Sequence, residues 1–377
     1  MERFDVCVRG TGVVGRALAL SLARLGLRIG LVPAPAAAGA SVASRPDVRA
    51  DALNAASVAL LRRLKVWDAL PPGAVTAVHE MHVEGDAHGA ALEFSAWQQH
   101  VDALAWIVDA PVLDEQLAAA VRFAPHVEVL PAGAPASAAD AALVALCEGR
   151  GSASRQAFGA ALDLQPYGQT AIAARLVAVR PHSNIARQWF RAPDVLALLP
   201  FDAPEAGRSY ALVWSMPDAQ AAALHSLDAA AFEAALLDAT GGACGPLALA
   251  SERASWPLAL ATAERWCGPG WVLLGDAAHV VHPLAGQGLN LGLADVAGLA
   301  AVIERREPWR GLGDVRLLRR YARERAAPTW AMGQLTDGLL QLFATPAPGA
   351  RQLRNRGLAL LDHLAPLKRW LASRALG

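Results

Sequence analysis

The chain has 377 residues, 34 basic and 34 acidic side chains, a formal net charge of zero and 54% apolar residues. At roughly 150 residues per domain the length predicts two to three domains, and the lack of a basic excess excludes an electrostatic nucleic-acid binder. No run reaches the roughly 18–20 apolar residues of a membrane span, no basic-then-apolar leader opens the chain, and four scattered cysteines without a Cys-x-x-Cys pattern predict a reduced, cytoplasmic protein.

Residues 4–8 read as a buried strand, followed by Gly10-Thr11-Gly12-Val13-Val14-Gly15, a helix over 16–25 and a strand over 28–32. Such a βαβ unit of about 30 residues opens a parallel sheet. In that context Gly10 permits the tight turn, Gly12 lets a pyrophosphate approach the backbone, and Gly15 lets helix and strand pack closely. An acidic residue for ribose hydroxyls is expected to end the second strand. Here Val32 is followed by Pro33, and no carboxylate comes before Asp47.

A loop over 33–48 leads to a helix over 51–65, then to strands over 80–84 and 91–94, a helix over 109–123, and strands over 127–130 and 142–146. Further strand-like runs cover 170–179, 186–190, 195–199 and 209–214, and an amphipathic helix covers 217–240. A strand over 271–274 and a helix over 286–303 return the chain to the first sheet. Residues 315–375 read as helical, interrupted around Pro346-Ala347-Pro348-Gly349.

The most informative segment is Gly275-Asp276-Ala277-Ala278-His279-Val280-Val281-His282-Pro283-Leu284-Ala285-Gly286-Gln287-Gly288-Leu289-Asn290-Leu291-Gly292. A buried strand ends in Gly-Asp, the loop turns at Pro283, and a glycine-rich turn opens a helix. Asp276 is placed to accept hydrogen bonds from a polyol at the carboxyl edge of a sheet. Gly286 and Gly288 bare backbone N–H groups at a helix N-terminus, suited to an electron-rich carbonyl or an anion. His279-x-x-His282 and His79-x-x-His82 lack a third ligand at suitable spacing, so no metal site is expected.

This segment resembles the second FAD fingerprint of single-component aromatic hydroxylases with the para-hydroxybenzoate hydroxylase fold. Within that group the chain is most similar to the ubiquinone-biosynthesis hydroxylases, the UbiH-type 2-polyprenylphenol hydroxylase family. Arg49-Ala50-Asp51-Ala52-Leu53-Asn54, Tyr167-Gly168-Gln169 and Arg187-Gln188-Trp189-Phe190 extend the likeness, and Tyr321-Ala322-Arg323-Glu324-Arg325 carries it into the tail. The resemblance implies an α/β fold: a Rossmann-like FAD-binding domain in three parts (1–75, 108–160, 265–305), an inserted β-sheet substrate domain in two (76–107, 161–264), and a C-terminal helical region (306–377). It implies that Gly10, Gly12 and Gly15 face the FAD pyrophosphate and that Arg49 contacts the cofactor. Gly275 and Asp276 would hold the ribityl chain or pyrophosphate, and Pro283 would lie near the reactive edge of the isoalloxazine. Backbone groups of Gly286, Gln287, Gly288, Leu289 and Asn290 would meet its N1–C2 carbonyl edge.

The implied reaction is NAD(P)H- and O₂-dependent hydroxylation of an activated aromatic ring through a flavin C4a-hydroperoxide. Its expected substrate is a polyprenylated phenol. A quinone-biosynthesis protein complex and peripheral contact with the inner membrane are the partners that this chemistry suggests, and no catalytic base is evident in the sequence. Three departures stand against the family pattern: Pro33 in place of the ribose acid, Glu148-Gly149 in place of Asp-Gly, and Asp109-Ala110-Pro111 in place of Glu-Asn. The stretch over 127–147 is also short. They keep open a second reading, a flavin-poor accessory or scaffold member of the same family. In the tail, Leu339, Phe343, Leu360 and Leu364 either pack on the FAD-binding domain or line a route for a prenyl chain.

Overall fold

Phe-Asp-Val-Cys-Val-Arg is apolar at most positions, the composition of a strand covered on both faces. In the computed structural model it forms β1 (Phe4–Arg9), inside a mainly parallel sheet. The structure describes residues 4–34, 47–85, 91–132, 141–281 and 287–344, without the side chains of residues 332, 335–337 and 339–344. On one side of β1 run β2 (Ile29–Val32) and β8 (Val127–Val129); on the other run β9 (Ala141–Leu146) and β17 (Trp271–Leu273), all parallel to their neighbours. The two-residue β16 (Cys267–Gly268) pairs antiparallel with β17 at the edge.

From β1 the chain moves outward through β2 to β8, then crosses back to lay β9 and β17 on the opposite side. The strand order therefore reverses between β1 and β9. In open parallel sheets the crevice beyond the strand carboxyl ends at such a reversal is where ligands bind. Against this sheet pack α1 (Val13–Ala23), α4 (Ala110–Arg122), α8 (Gln287–Glu304) and α9 (Val315–Ala344), α1 touching both α4 and α8 and α8 touching α9. The shared core includes Val6, Leu18, Leu22, Val144, Leu273, Leu299 and Leu318, all buried.

A second sheet, nine-stranded among the described residues, runs in the order β18 (His279–Val280), β15 (Ala254–Ala263), β10 (Leu162–Ala178), β13 (Ser209–Pro217), β12 (Asp194–Phe201), β11 (Ile185–Arg191), β5 (Glu80–Glu84) and β6 (Ala91–Ser95). β14 (Leu247–Leu249) pairs with β10. All its pairings are antiparallel except β11 with β5. One face carries Ile172, Leu198, Leu212 and Trp214 onto Phe232 and Leu236 of α7 (Ala229–Ala239), beside α6 (Asp218–Ser226). A third, small sheet of β3 (Ala50–Leu53), β7 (Ala105–Asp109) and β4 (Val75–Val78) joins the two. Leu53 belongs to the core of the first sheet, whereas Ala52 packs with Ile107 and Phe201 toward the second.

Two sequence expectations change here. The helix expected over 51–65 is β3 followed by α2 (Ala55–Arg63), because Asn54 is an N-cap whose side-chain oxygen accepts from the Ser57 N–H at 2.8 Å. Pairing with β7, from Ala50 opposite Asp109 to Leu53 opposite Trp106, outweighs the helical propensity of Ala-Asp-Ala-Leu. The helix expected over 217–240 is two helices, broken at Leu227 and restarted where the Asp228 carboxylate caps the Ala231 N–H at 2.8 Å. β15 carried no expectation, since Ala-Ser-Trp-Pro-Leu-Ala-Leu-Ala-Thr-Ala has no strict alternation.

Candidate functional site

The carboxyl ends of the first sheet lie level with one another. The Gly10 N–H donates to the Val32 carbonyl at 2.8 Å, the Cys147 N–H to the Arg9 carbonyl at 2.7 Å, and the Leu274 N–H to the Leu146 carbonyl at 3.1 Å. Gly10 has φ +107°, and a Cβ there would lie 2.3 Å from the Cys147 carbonyl oxygen. A Cβ on Gly15 would lie 2.0 Å from the Gly10 carbonyl oxygen. These two glycines therefore serve close backbone approach within the protein. Gly12 differs: it caps α1, and a Cβ there would meet nothing within 4 Å. The first turn of α1 carries no acidic side chain, so its N–H groups and positive dipole end face open space uncompensated.

Gly275 and Asp276 form a 3-10 turn directly after β17. Gly275 has φ +57°, and its Cα packs toward Val14 of α1; a Cβ on Gly292 of α8 would lie 2.7 Å from Val14 Cγ2. The turn is held from beneath by Asp295, which is fully buried. One carboxylate oxygen accepts from the Gly275 N–H at 3.0 Å and hydrogen-bonds His279 Nε2 at 2.6 Å, and the other accepts from Arg325 Nε of α9 at 2.8 Å. Burial works to raise the Asp295 pKa, but His279 and Arg325 together outweigh it and hold the carboxyl below its usual range. Trp266 stacks on the His279 ring at 5.1 Å between centroids.

Asp276 projects from this turn into the crevice. Its carboxylate accepts no hydrogen bond from the described residues, and it is exposed, although protein surrounds it. Burial of the charge in that recess raises its pKa, countered by the charges of His279, Arg150 and Arg49.

The remaining predicted site residues divide. Gln287, Gly288, Leu289 and Asn290 form the first turn of α8, and a Cβ on Gly288 would meet nothing within 4 Å. The Asn290 side chain does not reach into the crevice alone. Its oxygen accepts from the Asn54 N–H at 3.0 Å and Ser57 Oγ at 2.7 Å, and its amide donates to the Ala52 carbonyl at 2.8 Å. It clamps the first turn of α8 onto the end of β3. Arg49 is exposed and bidentate on Asp47, at 2.9 Å and 2.6 Å. Pro283 and Gly286 lie outside the described residues, as do His282, Leu360 and Leu364 and the side chains of Leu339 and Phe343.

Three further residues have structural claims on the site: Glu148, expected only as a departure from the family pattern, and Arg155 and Arg175, which carried no expectation of their own. Glu148 looks from the sequence like a damaged ligand. Its carboxylate instead accepts from Arg9 Nε at 3.0 Å, Ser152 Oγ at 2.7 Å, Ser154 Oγ at 2.8 Å and the Ser154 N–H at 3.2 Å, so it organises the loop after β9. Arg155, buried behind that loop, donates to the Ala277 carbonyl at 3.2 Å and the Arg150 carbonyl at 3.0 Å, tying it to the Gly275 turn. Arg175 on β10, also buried, lies 4.0 Å over the Phe201 ring and donates to the Arg49 carbonyl at 2.7 Å. It also pairs with Asp109 at 3.4 Å, and its Nη1 has no hydrogen-bond partner among the described residues. The Arg9–Glu148, Arg155–Ala277 and Arg175–Arg49 contacts join segments more than 100 residues apart, which no local pattern announces.

One histidine of each pair has another partner, and His282 lies outside the described residues. His279 belongs to Asp295, and His82 lies on β5 between Glu80 at 3.1 Å and Arg187 at 3.4 Å. Among the described residues no group of three or more His, Cys, Asp or Glu could hold a metal ion.

The crevice thus offers an uncompensated helix N-terminus beside an open glycine, an unpartnered carboxylate, and a second helix start with another open glycine. Such a set fits an extended ligand with an anionic centre, a polyol and a polar ring edge. The comparisons with known proteins point the same way. Residues 3–336 match the family model described as FAD binding domain. The 3-demethoxyubiquinol 3-hydroxylase of Escherichia coli is 30% identical over 99% of this chain and 98% of its own. The ubiquinone hydroxylase UbiL of Rhodospirillum rubrum is 29% identical over 99% of this chain and 89% of its own. Among solved structures, PqsL of Pseudomonas aeruginosa, in complex with 2-aminobenzoylacetate, superposes with a TM-score of 0.74 at 20% identity, covering 94% of this chain and 99% of that one. The p-nitrophenol 4-monooxygenase PnpA of Pseudomonas putida gives 0.74 at 16% identity, covering 100% and 99%.

Proposed function

The chain belongs to the FAD binding domain family and, within it, to the ubiquinone hydroxylases, and from that membership we propose that it hydroxylates a polyprenylated phenol of ubiquinone biosynthesis as an FAD-dependent monooxygenase. The observation that carries the cofactor assignment is the unpartnered Asp276 carboxylate standing between two open helix starts, at Gly12 and Gly288. In this reading the α1 N-terminus at Gly12 holds the pyrophosphate, with Gly10 and Gly15 shaping the turn. Asp276 holds the ribityl hydroxyls, and Arg49 contacts the cofactor beside it. Backbone N–H groups of the first turn of α8, Gln287 to Asn290, favour negative charge on the adjacent ring edge; Pro283 and Gly286 are assigned by resemblance. Bound FAD, reduced by NAD(P)H, supplies the activated oxygen, while the protein supplies position and a site closed to bulk water.

The departures at Pro33 and Glu148 acquire separate meanings. Glu148 is committed to Arg9, Ser152 and Ser154, so its extra methylene serves the loop. Pro33 follows β2 and is half-buried, leaving the ribose without a carboxylate from that strand. Pro33→Glu is expected to tighten FAD binding by about 0.5–1.5 kcal/mol, the worth of one hydrogen bond. Fluorescence titration of the variant checks this; an unchanged or larger Kd means the ribose is held elsewhere.

A polyprenyl chain needs an apolar route, since each CH₂ withdrawn from water is worth about 0.8 kcal/mol. We assign that route to the C-terminal helical region, and a membrane surface or a quinone-synthesis complex is the natural source of substrate. No helix among the described residues is long and apolar enough to cross a membrane. α9 is anchored to the first sheet by Tyr321, whose hydroxyl donates to the Leu273 carbonyl at 2.9 Å, and by Arg325 on Asp295. Deleting residues 349–377 is therefore expected to leave the FAD-binding part folded and to lower hydroxylation of a long-chain prenylphenol more than that of a one-isoprene analogue. Product analysis with both substrates tests the function and the route together. The intact chain hydroxylating neither phenol contradicts the function, and equal loss on both leaves the tail with packing alone.

A further inference from the structure

The hydroxylation proposed above needs a group that accepts the phenolic proton. We infer that Asp51 is that group: the carboxylate on β3 that removes the proton from the hydroxyl of the bound ring. The inference rests on the functional reading just given and goes further by assigning its base.

Position comes first. Side chains alternate along a strand, so Asp51 shares a face of β3 with Leu53, which enters the core of the first sheet, while Ala52 points the other way, to Ile107 and Phe201. Its neighbour Ala52 is fixed through its carbonyl to Asn290, in the first turn of α8. Asp51 therefore lies one residue from the point where β3 meets the helix start assigned to the cofactor ring. The charges around it come from every side of the crevice: Arg49 and Asp47 from the preceding segment, Asp276 from the turn after β17, and Arg175 from β10. Across β3 from Ala50 lies Asp109, paired with Arg175.

Availability comes second. The nearby acids on the β3 and β10 side are spent within the protein, Asp47 on Arg49 and Asp109 on Arg175. Glu148 and Asp295 are likewise committed on the first-sheet side. The Asp51 carboxylate has neither a hydrogen bond nor an ion pair with any described residue, and Asp51 is half-buried. Asp276 is the other unpartnered carboxylate of the crevice, and the proposed function already gives it to the polyol of the cofactor. Burial pushes the Asp51 carboxyl up to about 6; Asp47 and Asp276 add to this, and Arg49 and Arg175 oppose it. Such a group is ionised at neutral pH yet more basic than an ordinary carboxylate, as proton abstraction requires.

In the step itself the phenol O–H bond breaks, the proton passes to an Asp51 carboxylate oxygen, and the electron pair stays on the phenolate oxygen. The ring carbons ortho and para to it become more nucleophilic, which is what an electrophilic oxygen donor needs.

The test compares wild type, Asp51→Asn and Asp51→Glu at equal bound FAD, with 2-prenylphenol and a ring-fluorinated analogue that is already ionised at assay pH. With 2-prenylphenol, wild-type product formation is expected to rise with pH through about 6. Asp51→Asn is expected to lower it on the order of 100-fold or more, the scale of general-base catalysis, and to abolish that rise. Asp51→Glu restores part of both. The ionised analogue needs no base, so the Asn variant regains most of the wild-type rate with it, which a merely structural defect would not allow. Binding gives a readout without turnover: the Kd of 2-prenylphenol tightens through the same pH range in wild type and is flat in Asp51→Asn. An Asn variant with the wild-type pH profile, or one equally impaired on both phenols, overturns the assignment of Asp51 while leaving the function standing. A wild type that binds FAD but hydroxylates neither phenol overturns the function, and this assignment with it.

Discussion

Asp276→Ala is expected to strip the protein of FAD, weakening binding on the order of 100-fold or more. The argument is one of supply. Asp276 accepts nothing from the described residues, so its acceptor sites are free for ligand hydroxyls. Each hydrogen bond to a charged acceptor is worth about 1.5–3 kcal/mol, and every 1.4 kcal/mol is roughly tenfold in Kd. No other unpartnered carboxylate lies in the 275–295 segment, since Asp295 is committed below it. Asp276→Asn keeps one carbonyl acceptor and should fall between wild type and Ala. Equilibrium titration with FAD measures all three. An Ala variant with wild-type Kd means that the polyol is held by other groups.

Asp295→Ala is expected to destabilise the fold itself by about 3–5 kcal/mol, the scale for removing one partner from a buried ion pair. It would leave Arg325 and His279 without their shared acceptor and the Gly275 N–H unsatisfied. Urea unfolding should show the loss as a lower midpoint at unchanged slope, with FAD affinity falling as the Gly275 turn loosens. The pH dependence has a definite sign. The folded-state pKa of Asp295 lies below its ordinary value, so its contribution is complete above about 3.9, the unperturbed value, and is lost as pH falls through the lower folded value. Asp295→Asn should therefore flatten the acid limb of the stability curve. An Ala variant as stable as wild type would mean that Arg325 and His279 find other partners.

What the sequence revealed follows the range of the interactions concerned. Gly10, Gly12 and Gly15 are legible because the turn, the open approach and the close packing all arise within one βαβ unit. The Gly275–Asp276 turn and the first turn of α8 are legible for the same reason. Asn290 is half-legible: its place at a helix start is local, but its role as a clamp depends on Asn54, 236 residues away. Glu148 misleads, because comparison with a family pattern registers a lost Asp and not the Arg9, Ser152 and Ser154 groups it gathers. Asp51 was concealed by propensity. Ala-Asp-Ala-Leu reads as the start of a helix, and only pairing with β7 makes it a strand that carries one unpaired carboxylate into the crevice. Arg155 and Arg175 have no local signal, since their burial is decided by distant strands.

The central claim, that this crevice holds FAD and turns it to hydroxylation, is tested most directly by titrating FAD-depleted protein with FAD while following the visible flavin band, and then supplying NAD(P)H, O₂ and a prenylated phenol. The account predicts saturation at one FAD per chain, followed by a phenol carrying one added oxygen. A band unperturbed at every FAD concentration would contradict it and would make the chain a flavin-free member of its family.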